Sequence, residues 1–236
     1  MRVKQNLTLV ALILILLSAI FGINTLNIIS IPTSQEGESI GREIKVSSSQ
    51  NQQNDNIINI EIVWDASDSM WGDIEEVNKI NHSKKIIRRI IKDIPKNINL
   101  GLRVFGNEGS SDEESLLIVP LSQDNKENTL KAINQIKPSG KSPIGINISL
   151  AGKDLVNLPG EKHILLVTDG RDTGNIMPNK IVSELREKGI KTHIVQVGEI
   201  TKVSQLQLKE LSRLGGGKYF TYFEEEEVIP TMNLQY

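Results

Sequence analysis

Between Ile57 and Tyr222 the sequence alternates short runs dense in Ile, Val and Leu with longer stretches whose apolar residues recur at helical spacing. Few architectures accommodate that alternation. The runs Ile57–Trp64, Asn99–Phe105, Ser115–Leu121, His163–Thr168, Lys191–Val197 and Lys218–Tyr222 have strand length and strand composition. Helices are expected from about residue 75 to 93, where Ile80, Ile87, Ile91 and Ile94 share a face, and over Lys126–Ile136, Ile144–Leu155, Asn179–Lys188 and Val203–Leu214. Asp73, Glu75 and Glu76 would suit the positive end of the first helix. Ser115–Leu121 follows a Gly- and Ser-containing loop and reads as a reversed edge strand. The order implies an α/β chain: a doubly wound, mostly parallel six-stranded sheet with one antiparallel edge strand and helices on both faces, Rossmann-like in plan. Ligands of such sheets gather beyond the carboxyl ends of the strands, where strand order reverses.

Two strands end in carboxylates. The first runs into Trp64-Asp65-Ala66-Ser67-Asp68-Ser69-Met70-Trp71-Gly72, in which Asp65, Ser67 and Ser69 occupy every second position. A loop curling round a point can aim all three side chains inward. The second, His163–Thr168, ends in Asp169-Gly170, and between the two lies Gly140-Lys141-Ser142-Pro143 ahead of an apolar-periodic helix. Oxygen ligands are what hard divalent cations take, about six for Mg²⁺ and six to eight for Ca²⁺. Neutral hydroxyl donors leave such a cation electrophilic toward a further anionic oxygen. In isolation the first loop is equally what an Asx or Ser turn looks like at a strand end.

The order DxSxS, then Ser-Pro, then Thr-Asp-Gly resembles the metal-ion-dependent adhesion site of von Willebrand factor type A (vWA) domains. Asn99–Gly106 and Gly140–Ala151 extend the resemblance to the bacterial branch of that family, over about residues 57 to 222. The resemblance implies direct contact of a divalent cation with Ser67, Ser69 and Ser142, and contact largely through water for Asp65 and Asp169. It also implies a protein partner whose acidic residue completes the coordination. Mg²⁺ is the expected ion, with Mn²⁺ or Ca²⁺ as alternatives.

Three departures from the family pattern bear on the site. Ser142 stands where threonine is usual, keeping the hydroxyl but loosening its χ1. Asp68 stands where glycine is common; it adds a third carboxylate near the metal, tilts preference toward Ca²⁺, and suits a positive φ better than most residues do. The loop cysteines of many bacterial relatives are missing, since the chain has no cysteine. Competing motifs fit less well. A phosphate-binding P-loop ending at Gly140-Lys141-Ser142 needs glycine at position 135, which is Gln. Asp65 to Glu76 has the length of an EF-hand loop, but Met70 stands where that loop requires glycine. Ser142 followed by Pro143 also reads as a helix N-cap with proline at the first helical position. Asp68, Trp71, Arg171 and Asp172 are expected to form a partner-binding rim, with Trp71 either exposed to the partner or packed on the first helix. His82, His163 and His193 lie far apart without ligand spacing and are assigned packing roles.

The ends of the chain bear on location. Arg2 and Lys4 precede an apolar stretch from Leu7 to Ile23, about 17 residues, near the lower limit for a membrane span. Residues 1–31 are therefore read as an uncleaved signal anchor that leaves the remainder outside the cytoplasm; cleavage would make the protein secreted or periplasmic. Residues 32–56, rich in Ser, Gln, Asn and Gly, read as a flexible linker reaching about 25 to 30 Å. Residues 223–236 form an acidic tail. The net charge of −2, with dispersed Lys and Arg, argues against a nucleic-acid partner.

These readings favour a membrane-anchored extracytoplasmic binding module over an enzyme. A metal-dependent hydrolase would need a general base beside the cation, and only Asp68 is a candidate. A metal-switched subunit of an envelope assembly, with the last helix as its moving part, is the other alternative.

Overall fold

The computed structural model describes residues 57–95, 98–107 and 115–222. The segments read from the sequence as anchor, linker and acidic tail lie outside these residues. Among the described residues no helix is long and apolar enough to cross a membrane.

Six strands form one sheet: β1 (Ile58–Asp65), β2 (Ile98–Phe105), β3 (Ser115–Ser122), β4 (Glu161–Thr168), β5 (Ile190–Val197) and β6 (Gly216–Tyr222). Their spatial order is β3-β2-β1-β4-β5-β6. All neighbours are parallel except β2 and β3, so β3 is the antiparallel edge strand. Five helices connect them: α1 (Lys79–Asp93), α2 (Lys126–Gln135), α3 (Ile144–Leu155), α4 (Pro178–Glu187) and α5 (Lys202–Leu214).

The alternation of side chains along β1 explains why both faces are covered. Ile58, Ile60, Ile62 and Trp64 join Ile80, Ile87, Ile91 and Ile133 of α1 and α2 in one core. Val63 points to the other, where it meets Ile144, Ile148, Val182, Leu185, Leu208 and Leu211 of α3, α4 and α5. On that second face β1 also buries Glu61, and Arg103 reaches from β2 to bond it at 2.8 Å and to pair with Asp154 of α3. Burial still pushes the Glu61 carboxyl up to about 7.

The start of α1 differs from the sequence reading. The helix begins at Lys79, and Asp73–Ile74 pairs with Val77–Asn78 in a small antiparallel ribbon. Glu75 and Glu76 make its turn with φ of 47° and 66°, the paired positive values of a type I′ turn. The acidic residues therefore lie before the helix and not in its first turn. Asn78 closes the junction by donating to Trp71 O at 2.8 Å and to the Asp73 carboxylate at 2.7 Å.

Strand order reverses at β1, which has β2 on one side and β4 on the other, in register Asp65↔Phe105 and Trp64↔Val167. Asp65 ends β1 and Asp169 directly follows β4, so both carboxylates stand at the switch point.

Candidate metal centre

Three loops meet beyond the carboxyl ends of β1, β2 and β4. The turn after Asp65 is tied to its neighbours by backbone bonds from Ala66 N to Phe105 O at 2.8 Å, Asp68 N to Gly140 O at 3.1 Å and Ser139 N to Ala66 O at 2.9 Å. Gly106 makes that approach possible. It has φ of +61°, and a Cβ there would lie 2.6 Å from Lys141 O and 2.7 Å from Ser67 Cα.

Within this frame the oxygen-bearing residues form one chain of hydrogen-bonded contacts, with one link through a backbone N–H. Ser142 Oγ donates to Asp65 Oδ2 at 2.9 Å, and Asp65 Oδ1 accepts from Ser67 N at 3.0 Å. Ser67 Oγ and Ser69 Oγ are 3.2 Å apart, and Ser69 Oγ donates to Asp169 Oδ1 at 3.0 Å. Asp65, Ser67, Ser142 and Asp169 are buried, and Ser69 is half-buried. All five oxygen residues singled out from the sequence thus stand in one chain of contacts.

Hydroxyl and carboxylate groups surround Asp65. Its burial pushes the carboxyl up to about 6, the Asp169 charge adds to the rise, and hydrogen bonds from Thr168 and Ser67 oppose it. A cation beside Asp65 would relieve that cost. Among the described residues no three His, Asp or Glu side chains gather as a metal-binding cluster. The donors are two carboxylates and three hydroxyls, an oxygen-only set that fits a hard divalent ion better than a thiophilic one.

Two further residues belong to the centre beyond those expected from the sequence. Thr168 Oγ1 donates to Asp65 Oδ2 at 2.6 Å and accepts from Gly170 N at 2.9 Å. Lys79, the first residue of α1, pairs with Asp169 Oδ2 at 2.8 Å. The hydroxyl directly before Asp169 was a readable signal for the first; nothing local in the sequence marks the second.

The rim residues divide. Asp68, Arg171 and Asp172 are exposed. Asp68 opens a 3₁₀ turn, Asp68–Trp71, and does not take the positive φ its position invited; a 3₁₀ turn has right-handed backbone angles, so no left-handed residue is needed. Trp71 is 49% exposed, and its indole donates to Pro138 O at 3.1 Å, which ties it to the loop that carries Ser142. Asp172 serves the backbone, since its Oδ1 accepts from Ile144 N at 3.3 Å and Gly174 N at 2.9 Å. It therefore supplies the acceptor at the start of α3 that Ser142 was expected to supply. The Ser142 hydroxyl is turned to Asp65, the helix starts at Ile144, and Pro143 occupies the N-cap. Thr173 clamps the same loop by accepting from Ser142 N at 2.8 Å. The separation of the histidines in sequence is closed in space for two of them, since His163 and His193 are buried against each other with ring centroids 5.3 Å apart.

Comparison with known proteins bears on the family and the fold. The sequence profile of the von Willebrand factor type A domain matches residues 59–235. YwmC of Bacillus subtilis, an uncharacterized protein, is 28% identical over 180 residues, which cover 72% of this chain and 79% of YwmC. An aerotolerance-related membrane protein of Bacteroides fragilis shares the fold with a TM-score of 0.59 at 17% identity, over 71% of this chain and 92% of that one. Proximal thread matrix protein 1 of the mussel byssus, in a structure with a zinc-occupied MIDAS motif, gives a TM-score of 0.53 at 20% identity over 71% of this chain and 42% of its own.

Proposed function

The chain belongs to the von Willebrand factor type A domain family, and from that premise we propose that it is an extracytoplasmic binding module, anchored in a membrane by its N-terminal apolar segment, that grips a protein partner through a divalent cation. The observation that carries this reading is the continuous chain of hydrogen-bonded contacts from Ser142 through Asp65, Ser67 and Ser69 to Asp169, in which the Asp65–Ser67 link is made by the Ser67 backbone N–H. Ser67, Ser69 and Ser142 would hold the ion directly, with Asp65 and Asp169 balancing its charge. When bound, the ion supplies an electrophilic point for the carboxylate of a partner's Asp or Glu. Mg²⁺ suits the donor set, with Mn²⁺ and Ca²⁺ as alternatives, and a zinc-bearing relative supports a divalent ion in general. Asp68, Trp71, Arg171 and Asp172 offer the exposed rim that a partner would meet. Asp172 also holds the loop to α3 through Ile144 N. The membrane assignment rests on Arg2, Lys4 and the stretch Leu7–Ile23, with the Bacteroides membrane protein as a parallel.

Thermal unfolding of the full-length chain in mild detergent, with and without millimolar Mg²⁺, Mn²⁺ or Ca²⁺, tests the reading beside Ser67→Ala and Asp169→Ala. An ion at a hundred times its Kd stabilises by about 2.7 kcal/mol, which raises the midpoint by roughly 5 to 10 °C for a domain of this size. A rise in the wild type that both variants lack is the expected result. No rise with any of the three ions would remove the basis of the proposal.

A further inference from the structure

The two oxygens of Asp169 face different surroundings. Oδ1 accepts from Ser69 Oγ at 3.0 Å and from Arg171 N at 3.3 Å, on the side of the serine hydroxyls. Oδ2 is taken by the Lys79 ammonium at 2.8 Å. This is not an ordinary surface ion pair, since the Lys79 side chain is only 16% exposed and that of Asp169 1%. The lysine reaches its partner past Gly198, where a Cβ would come within 3.2 Å of Lys79 Cε. Its carboxylate partner thus meets a fixed, partly desolvated positive charge, screened less than a rim charge such as Arg171 would be.

We propose that Lys79 is an internal counter-cation that weakens the hold of the centre on a bare divalent ion and couples ion binding to the arrival of a carboxylate. The inference rests on the binding function proposed above and names how that site is regulated. Asp65, Asp169 and Lys79 together carry one net negative charge. A divalent ion added to them leaves one positive charge uncompensated, and an incoming carboxylate cancels it. Without Lys79 the two aspartates alone neutralise the ion, and the pull on a further anion is lost. Because binding free energies are reciprocal, a carboxylate that is drawn to the loaded centre must raise the affinity for the ion by the same factor.

The test measures Mn²⁺ binding to the full-length chain, from the electron paramagnetic resonance signal of the free ion, with and without acetate at constant ionic strength. Wild type is compared with Lys79→Met and Lys79→Gln, the second variant guarding against a folding defect in the first, and circular dichroism checks the fold of each. Without acetate the variants should bind Mn²⁺ about tenfold more tightly, the effect of a unit charge on a dication a few ångströms away at water-like dielectric. Acetate should tighten binding to the wild type more than to the variants. Equal affinities within about twofold, weaker binding by the variants, or an equal acetate effect would overturn the role of Lys79 while leaving the metal site standing. Absence of binding by wild type and variants alike would sink both this inference and the binding function beneath it.

Discussion

Thr168 shows how much of the centre depends on groups that need not touch an ion. Asp65 is fully buried and its Oδ2 takes two hydroxyl donors, Thr168 at 2.6 Å and Ser142 at 2.9 Å. Hydrogen bonds to a charged group are worth about 1.5 to 3 kcal/mol. Thr168→Val keeps the shape and removes one donor, so it should lower stability by about 2 kcal/mol and weaken Mn²⁺ binding several-fold. Asp68→Asn, at an exposed residue outside the chain of contacts, should change neither greatly. Titration calorimetry and denaturant unfolding of the two variants decide the matter, and a larger loss of Mn²⁺ affinity in Asp68→Asn would show that the wrong carboxylate has been placed at the centre. At this scale the sequence was informative where chemistry repeats at fixed spacing: Asp65, Ser67 and Ser69 announce themselves. It was silent where contacts are long-range. Lys79 reaches Asp169 across 90 residues, and His163 reaches His193 across 30, so no local pattern reports either.

The elements were readable to within a few residues because each strand is a dense apolar run and each helix has one apolar face. The exception is the ribbon before α1. Its turn is Glu75-Glu76, without the Asn or Gly that normally advertises positive φ, and charged residues ahead of an apolar face look like a helix start. The Ser142 cap failed for a related reason: a hydroxyl before proline has two uses, and only the approach of Asp65 and Asp172 decides between them. What lets two of the loops approach each other closely is a glycine directly after β2. Gly106→Ala would place a methyl group 2.8 Å from Ser67 N as well as against Lys141 O, and would strain a φ of +61°. The cost should exceed about 1 kcal/mol. More tellingly, Mn²⁺ affinity should fall although residue 106 carries no donor, because Ser67 and the Ser142 loop would be pushed apart. A Gly106→Ala protein that is destabilised yet binds Mn²⁺ normally would mean that the loops are positioned by something other than this contact.

Across the whole molecule, acid acts through opposing groups. Lys218 N donates to His193 Nδ1 at 3.1 Å, which leaves the proton of that ring on Nε2, facing His163 Nδ1 at 3.1 Å. His163 Nε2 then donates to Glu161 at 3.2 Å. Every ring nitrogen is satisfied with both imidazoles neutral, and an added proton on either Nδ1 would confront another N–H. Burial, with Lys191 nearby, accordingly lowers His163 to about 4 and His193 to about 3. The unfolded chain takes up protons near pH 6.5 that the native pair refuses. The stability contributed by the pair is therefore complete above about pH 6.5 and declines as the pH falls toward 4, by a few kcal/mol. Glu61, raised to about 7, and Asp65, raised to about 6 in the metal-free protein, act in the other sense: their protonated forms favour the native state, and that contribution is lost as pH rises through these values. Comparing metal-free wild type with metal-free His193→Asn cancels the carboxylates and isolates the histidines. Between pH 7 and pH 5 the midpoint of thermal unfolding should move less favourably for the wild type than for the variant, since the variant has one fewer refused proton. Parallel curves for the two proteins would mean that the buried pair accepts a proton in the native state, and the tautomer chain from Lys218 to Glu161 would have to be abandoned.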